Sequence, residues 1–391
     1  MNCKLADSLY DVGALDWEIR DFHGVYTPQG SKYNSFLLLD EKIAIIDSVK
    51  ECFGKETICK IKEIIKERDV DYLVSLHTEP DHAGSITEYF KEFKNIKLVC
   101  LEKNYEFIKN FLPDLDGSRV LVLKSGESLS LGEKTLVLKS LPMTHWPDTT
   151  SAYIPEKGWL FTSDFFGSLI SISRPFYDQL QSDIYPFIRD YFAFLMRPFE
   201  SLTKKALDYY KSLNPTMILP AHGPFYRRPE DIKYIFDVTE KLINDPTENK
   251  VIVVYTTMWH TTEKMAKLIS EGAGCKNDCE VKVFDLREDP VSVIMGEIMT
   301  CKAFAIGSPT VYNGVFPNIL PLLRLMRLLR LKGKRAVIFG SFGWSGGAVK
   351  EIEDAIKPLG VEVIEKIETR FSLKPEEIKK CLEVGKMLAE L

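Results

Sequence analysis

Short apolar runs punctuate the first 245 residues: SFLLLD, KIAIID, DYLVSL, KLVC, RVLVL, TLVLKSL, SAYI, WLFT and MILP. Their length and β-branched content predict strands. One longer segment, KETICKIKEIIKER, repeats its isoleucines at helical spacing and predicts a helix. This is the pattern of a mixed α/β region rich in hairpins. From Val251 the rhythm changes to strict alternation. VIVVY, VKVFDL, AFAIG, AVIFG and VEVI predict five strands; helices are predicted near Lys264, near Met299, over PNILPLLRLMRLL, from Val349 and from Pro375. Five strands joined by crossover helices describe a doubly wound parallel sheet. The polar, Pro-containing NDPTENK has the composition of a boundary, so domains are expected over 1–247 and 248–391. Arg324, Arg327 and Arg330 recur every three residues beside leucines, as on an amphipathic helix with one solvated face.

With 391 residues, 45% hydrophobic against 27% charged, the chain can bury two cores. Its net charge is −5, with Lys and Arg dispersed, which leaves no electrostatic footprint for nucleic acid or an anionic membrane. The N-terminal MNCKLADSLYDVG has no apolar run, and no uninterrupted apolar stretch of about 18 residues occurs. A cytoplasmic protein is expected. Eight cysteines are scattered without a CxxC pair, which argues against an iron–sulfur cluster, a zinc ribbon or a disulfide framework. Cys275 and Cys279 read as surface thiols in a polar turn.

The distinctive chemistry follows the predicted strands. Directly after DYLVSL comes His77-Thr78-Glu79-Pro80-Asp81-His82, which offers four potential metal ligands in six residues, with Pro80 stiffening the loop. His145 in LPMTHWPD, Asp164 in LFTSDFFG and His222 in ILPAHGPF each follow another strand-like run. Ligands delivered from strand ends are how a rigid sheet builds a preorganised site. Any one of the last three alone reads better as a loop residue satisfying local hydrogen bonds. Beside the six-residue cluster, they predict a metal site.

The order HxExDH, THWPD, SD and AHG resembles the metallo-β-lactamase fold as used by flavodiiron proteins, also called A-type flavoproteins. The resemblance implies an αββα sandwich holding two non-haem irons per chain. It places the first iron on His77, Glu79 and His145, the second on Asp81, His82 and His222, and Asp164 as the bridge. Zinc hydrolases of that fold usually carry a second His where this chain has Glu79; an added carboxylate makes the site harder and favours iron. By the same resemblance His23, in DFHGVYTPQG, lies just outside the ligands and donates to the bound substrate, and Tyr191, in RDYFAFLMRPF, supplies a phenol nearby. In isolation, His23 reads as a structural histidine.

Three loops of the second region follow predicted strands, which gathers them at the carboxyl edge of the sheet. The first carries Thr257, Met258, Trp259, His260, Thr261 and Thr262 before a helix, hydroxyls suited to a terminal phosphomonoester. The second carries Ser308, Pro309, Thr310, Tyr312, Asn313 and Gly314; the third carries Phe342, Gly343, Trp344, Ser345 and Gly346. Glycines let backbone amides approach a planar ring, and an aromatic offers a stacking face. No GxGxxG occurs with a suitably placed acid, so a dinucleotide is disfavoured. The loops resemble flavodoxin, and the Met258-Trp259 pair resembles the flavodoxin half of flavodiiron proteins. The ligand implied is FMN.

The expected function is electron transfer from an external donor through FMN to a diiron centre, reducing dioxygen to water, nitric oxide to nitrous oxide, or both. The rivals are a zinc hydrolase fused to a flavodoxin-like carrier, which Glu79 disfavours, and an electron carrier with a vestigial metal site. No rubredoxin or flavin reductase module is expected beyond Leu391, so electrons would come from a small redox protein such as rubredoxin, alternatively from reduced deazaflavin. The resemblance also implies a head-to-tail homodimer, or a dimer of such dimers.

Overall fold

A computed structural model describes residues 3–244 and 246–391; Asp245, inside the expected boundary segment, lies outside the described residues. The chain divides into two compact units, the first reaching Ile243 and the second running from Asn244 to Leu391, with residues 24–26 grouped in the second. No helix among the described residues is long and apolar enough to cross a membrane.

The first unit is built on two mixed sheets. One orders its strands Cys3–Ala6, Leu9–Asp11, Phe36–Leu38, Ala44–Ile46, Tyr72–Val74, Lys97–Leu101 and Val120–Leu123. The pairing is antiparallel up to Ala44–Ile46 and parallel beyond it. The other orders Ser128–Ser130, Thr135–Ser140, Thr150–Ile154, Trp159–Phe161 and Met217–Leu219, the last pair parallel. Side chains alternate across each strand. Phe36, Ile46, Val74 and Val99 therefore meet Leu138, Ile154, Phe161 and Leu219 in one shared core. Leu37, Ile45, Leu73 and Leu98 face the opposite way, onto Ile58, Ile61 and Ile65 of the helix Gly54–Ile65 and onto Ile86, Phe90 and Ile108. The isoleucine spacing that predicted that helix is the stripe it buries. Beyond the second sheet, Phe165 and Phe166 pack on Tyr210 and Phe236, from the helices Glu200–Ser212 and Pro229–Asn244.

In the second unit five parallel strands take the order Glu280–Asp285, Glu248–Tyr255, Cys301–Val311, Arg335–Phe342, Glu362–Arg370, the doubly wound order of flavodoxins. Val251 to Val254 are all buried, as a sheet covered on both faces requires. The strand Cys301–Val311 runs past the apolar AFAIG because Ser308 and Pro309 still pair with Gly340 and Ser341, while Thr310 turns back onto Val315.

The helices Thr261–Gly274 and Pro375–Glu390 touch backbone to backbone on one face of this sheet. A Cβ at Gly272 would stand 2.1 Å from the Leu382 carbonyl oxygen, and one at Gly385 2.1 Å from that of Ile269. Neither carbonyl can move without breaking helical bonds. Gly385→Ala is expected to destabilise this unit by about 1–3 kcal/mol in urea denaturation while leaving metal content unchanged.

Candidate metal centre and flavin loops

Strand register delivers the metal-site residues. Val74, Phe161 and Leu219 end their strands, and His77, Asp164 and His222 each lie three residues further on. Phe161 and Leu219 are direct partners in the sheet, so Asp164 and His222 arrive side by side. The Ala221 N–H donates to the Ser163 carbonyl at 2.7 Å and locks them there. Glu79, Asp81 and His82 come from the loop and short helix that follow His77, and His145 comes from the turn before Thr150–Ile154.

All seven converge. Three overlapping groups, His77–Glu79–His145–Asp164, His77–Asp81–His82 and His82–Asp164–His222, bring their ligand atoms within 4.8 Å of one another. Asp164 Oδ2 lies 3.0 Å from His77 Nε2 and 3.1 Å from His145 Nε2. Its Oδ1 lies 3.5 Å from both His82 Nε2 and His222 Nε2. One carboxylate thus faces two separate histidine pairs with different oxygens. Glu79 Oε2 stands 2.9 Å from His145 Nε2, and Asp81 Oδ2 stands 3.2 and 3.3 Å from His82 and His222 Nε2.

The donor set fits a pair of metal ions. Nearly all of these side chains are buried, yet His77 Nε2 and both oxygens of Asp81 and of Asp164 have no hydrogen-bond partner among the described residues. Buried polar atoms are ordinarily paired, so unpaired ones pointing at a common centre are ligand geometry. The far sides of two of the four rings are anchored in the way typical of metal-binding imidazoles. His222 Nδ1 donates to the Lys32 carbonyl at 2.8 Å, which leaves Nε2 free to ligate, and His77 Nδ1 meets Ser163 Oγ at 3.1 Å.

Electrostatics point the same way. Burial opposes the charged form of His82 and His145, but the neighbouring carboxylates outweigh it and raise them to about 10 and about 9. His77 is likewise raised, by Asp164 and Glu79 against burial. Burial also opposes the charge on Glu79, Asp81 and Asp164, yet the imidazoles hold all three well below the ordinary carboxylate range. A cation entering here displaces imidazole protons and meets carboxylates that are already ionised.

His23 stands at the rim with its side chain half exposed, Nε2 2.6 Å from Glu79 Oε1, a contact that raises its pKa. Tyr191 is buried, its ring 5.9 Å from that of His222, and its hydroxyl has no partner among the described residues. Gly167 makes room for it, since a Cβ there would lie 2.7 Å from the phenol ring.

In the second unit, Thr257 Oγ1 is buried without a partner among the described residues, and so is Thr256 Oγ1, which the sequence reading did not single out. Thr262 Oγ1 lies 3.0 Å from Ser341 Oγ, and Thr261 Oγ1 donates to the Phe371 carbonyl at 2.8 Å. His260 adopts a left-handed conformation just before the helix. Ser308 Oγ accepts from the Phe316 N–H and closes the hairpin, while Thr310 Oγ1 accepts from the Ala348 N–H. Ser345 donates to Asn313, and Gly347 passes so close to the Asn313 carbonyl that a Cβ would meet it at 2.0 Å. Met258 and Trp259 are exposed, as are Tyr312 at 94% and Trp344 at 86%. Exposed Phe371 reaches the same edge after the fifth strand, beside Gly343, whose carbonyl accepts from Arg370 Nε at 2.8 Å. Ser341 belongs to the third loop, after the predicted fourth strand AVIFG, without having been singled out there; Arg370 and Phe371 could have been found by treating the end of the fifth strand like those of the first, third and fourth. Unpaired buried hydroxyls below bare aromatic faces suit a phosphate joined to a planar ring.

A buried set of four imidazoles and three carboxylates in one unit, and a hydroxyl and aromatic edge on a doubly wound sheet in the other, define a two-domain protein of the metal-and-flavin class. Residues 32–223 match the ODP family beta lactamases, and residues 253–385 match the flavodoxins. The nitric oxide reductase of Moorella thermoacetica is 35% identical over 98% of this chain and 97% of its own. The flavodiiron protein from Giardia intestinalis superposes with a TM-score of 0.95 at 30% identity, covering 100% of this chain and 96% of that one. The rubredoxin oxygen:oxidoreductase from Desulfovibrio gigas gives 0.93 at 30% identity, covering 100% and 98%. The chain belongs to the flavodiiron protein family, with the FMN and diiron cofactors of that class.

Two outcomes check these assignments. Asp164→Ala is expected to lose at least one of two irons per chain by elemental analysis; full retention would overturn its bridging role. Thr257→Val is expected to weaken FMN binding about 10- to 100-fold, the worth of a hydrogen bond to a charged group, as read by flavin fluorescence titration.

Proposed function

We propose that this protein is a flavodiiron oxidoreductase that accepts electrons from an external donor, passes them through FMN to a diiron centre, and reduces dioxygen to water, nitric oxide to nitrous oxide, or both. The observation that carries the reading is the Asp164 carboxylate, which turns one oxygen to His77 and His145 and the other to His82 and His222. His77, Glu79 and His145 would hold one iron; Asp81, His82 and His222 the other; and Asp164 both. Glu79, set among His77, His145 and His23, makes the first position too anionic for the zinc-hydrolase alternative. When bound, two irons and one flavin supply four electrons between them, the number dioxygen needs to reach water.

The remaining chemistry belongs to the chain's own residues. Gas reduction consumes protons. His23 holds one on Nε2 against Glu79, at a half-exposed position that solvent can replenish. The Tyr191 phenol, its pKa raised first by burial and then by Asp164, Glu79 and Asp81, stays protonated and donates inside the pocket. In the second unit, Thr257, Thr261 and Thr262, with the backbone of the adjoining helix start, would hold the phosphate. Trp344 and Trp259 offer faces to the ring. A covered ring leaves its edge for outer-sphere transfer, which favours a small redox protein such as rubredoxin over reduced deazaflavin as donor. The protein works as a head-to-tail homodimer in which each flavin serves the partner's irons, closing two equivalent sites by two-fold symmetry; the family resemblance supports this.

Anaerobic turnover of the purified protein against each gas, driven by rubredoxin or by reduced deazaflavin, tests the reading. Consumption of at least one gas is expected, faster with rubredoxin. Two zinc ions and hydrolase activity in the native protein would sink it. Mixing Asp164→Ala with Thr262→Pro chains is expected to restore activity in hybrid dimers, and no rescue in verified hybrids would exclude the shared-site arrangement.

A further inference from the structure

We propose that Asp148 is a positioning residue for one half of the metal centre, fastening the His77–Glu79 loop to the His145 turn. The proposal rests on the two-metal reading above. Asp148 is 2% exposed, and its Oδ1 is buried without a hydrogen-bond partner among the described residues, so its polar ties run through Oδ2. Its Oδ2 accepts from Thr78 Oγ1 at 2.7 Å and from Asn104 Nδ2 at 2.8 Å. The Asn104 amide reaches Thr78 Oγ1 as well, at 3.2 Å, and Asn104 is itself buried in the helix Glu102–Phe111. Thr78 stands between His77 and Glu79, and Asp148 stands three residues after His145. One carboxylate oxygen therefore ties together the two loops that carry three of the ligands.

The turn before Thr150–Ile154 is otherwise bonded mainly to itself. Leu141 N–H donates to the Thr149 carbonyl, Met143 N–H to that of Trp146, and Trp146 N–H to Thr149 Oγ1. Its base is held where Thr150 N–H donates to the Leu76 carbonyl at 2.8 Å. Asp148 adds the side-chain tie to the segment 77–79, through hydrogen bonds to a carboxylate in a dry, low-dielectric setting where they are strong. The other half of the centre is anchored by different groups. The His82 carbonyl accepts from the Ser48 N–H and hydroxyl at 2.9 and 2.7 Å, and His222 is held by the Lys32 carbonyl. Neither route passes through Asp148, so loosening it unsettles His77, Glu79 and His145 and leaves Asp81, His82 and His222 in place.

The test is iron release from the loaded, full-length protein to a ferrous chelator, independent of any gas activity. Asp148→Asn and Thr78→Val are expected to release one of the two irons at least about 10-fold faster than the parent, with the second iron leaving at the parental rate. Thr78→Ser, which keeps the hydroxyl, is expected to behave as the parent, and the double variant to be no faster than either single one, because both cut the same tie. Parental rates for both irons in Asp148→Asn and Thr78→Val would overturn the proposal, as would equal acceleration of both irons or a Thr78→Ser variant as labile as Thr78→Val. The iron content of the parent, measured first, tests the diiron reading separately.

Discussion

Seven ionisable side chains share one nearly dry pocket, and the attraction between their opposite charges is what makes that pocket tolerable. A buried carboxylate without a counter-charge costs several kcal/mol. Here three of them, Glu79, Asp81 and Asp164, are interleaved with four imidazoles, and each acid holds its proton far less tightly than it would in water. Without metal, protons on His77, His82 and His145 offset the three carboxylates; with metal, the cations do. The sheets, the loops and the choice of residues around the ligands follow from keeping that balance in register, because a carboxylate displaced by an ångström or two would lose its partners and keep its desolvation cost.

Register is where the fold meets the chemistry. A parallel pair of strands ends level, so Phe161 and Leu219, paired directly, release their chains into the pocket from the same height. The Ile46–Val74 pair in the other sheet does likewise: Asp47, the next residue, accepts from Leu76 N–H at 2.7 Å just before His77. Burial raises the Asp47 carboxyl, and the imidazoles of His82 and His77 pull it back, to about 6. Asp47 and Ser163 both sit in the left-handed region, at φ 55° and 52°, and each is fixed by bonds to a neighbouring ligand-bearing segment. Strain of this kind persists where surrounding contacts over-determine it, as they do beside a preorganised site.

Much of this was legible in the sequence, and what was not has a common cause. His77 to His82, His145, Asp164 and His222 announce themselves because ligand chemistry is confined to a few residue types and because each follows an apolar run. The five-strand alternation is visible because fully buried strands are continuous apolar segments. Cys3–Ala6, Leu9–Asp11 and Ser128–Ser130 were not expected, since three or four residues of mixed polarity display no period. Ser163, Thr78, Asp148 and Asn104 stayed hidden for another reason. Serine, threonine, aspartate and asparagine are the ordinary currency of loops, and only the partner brought from dozens of residues away distinguishes a tie from a turn. Thr256, Ser341, Arg370 and Phe371 matter through the carboxyl edge they share; strand-following loops announce that edge, but not which of their ordinary residues face it.

The two sites differ most in how they treat water, and that difference follows from what each must exchange. The candidate metal ligands in the first unit are closed in; ions bound by carboxylates hold their geometry and tune their chemistry best where solvent cannot compete. A flavin edge that takes electrons from another molecule cannot be closed in the same way. Trp259, Tyr312, Trp344 and Phe371 leave large apolar faces in solvent, at an unfavourable hydration cost that binding a ring or a partner surface relieves. A protein selected for stability alone would bury those rings. Those faces are where a flavin ring would lie, so the second unit supplies a surface for a planar cofactor, while the first supplies a pocket that hides nearly every charge it owns.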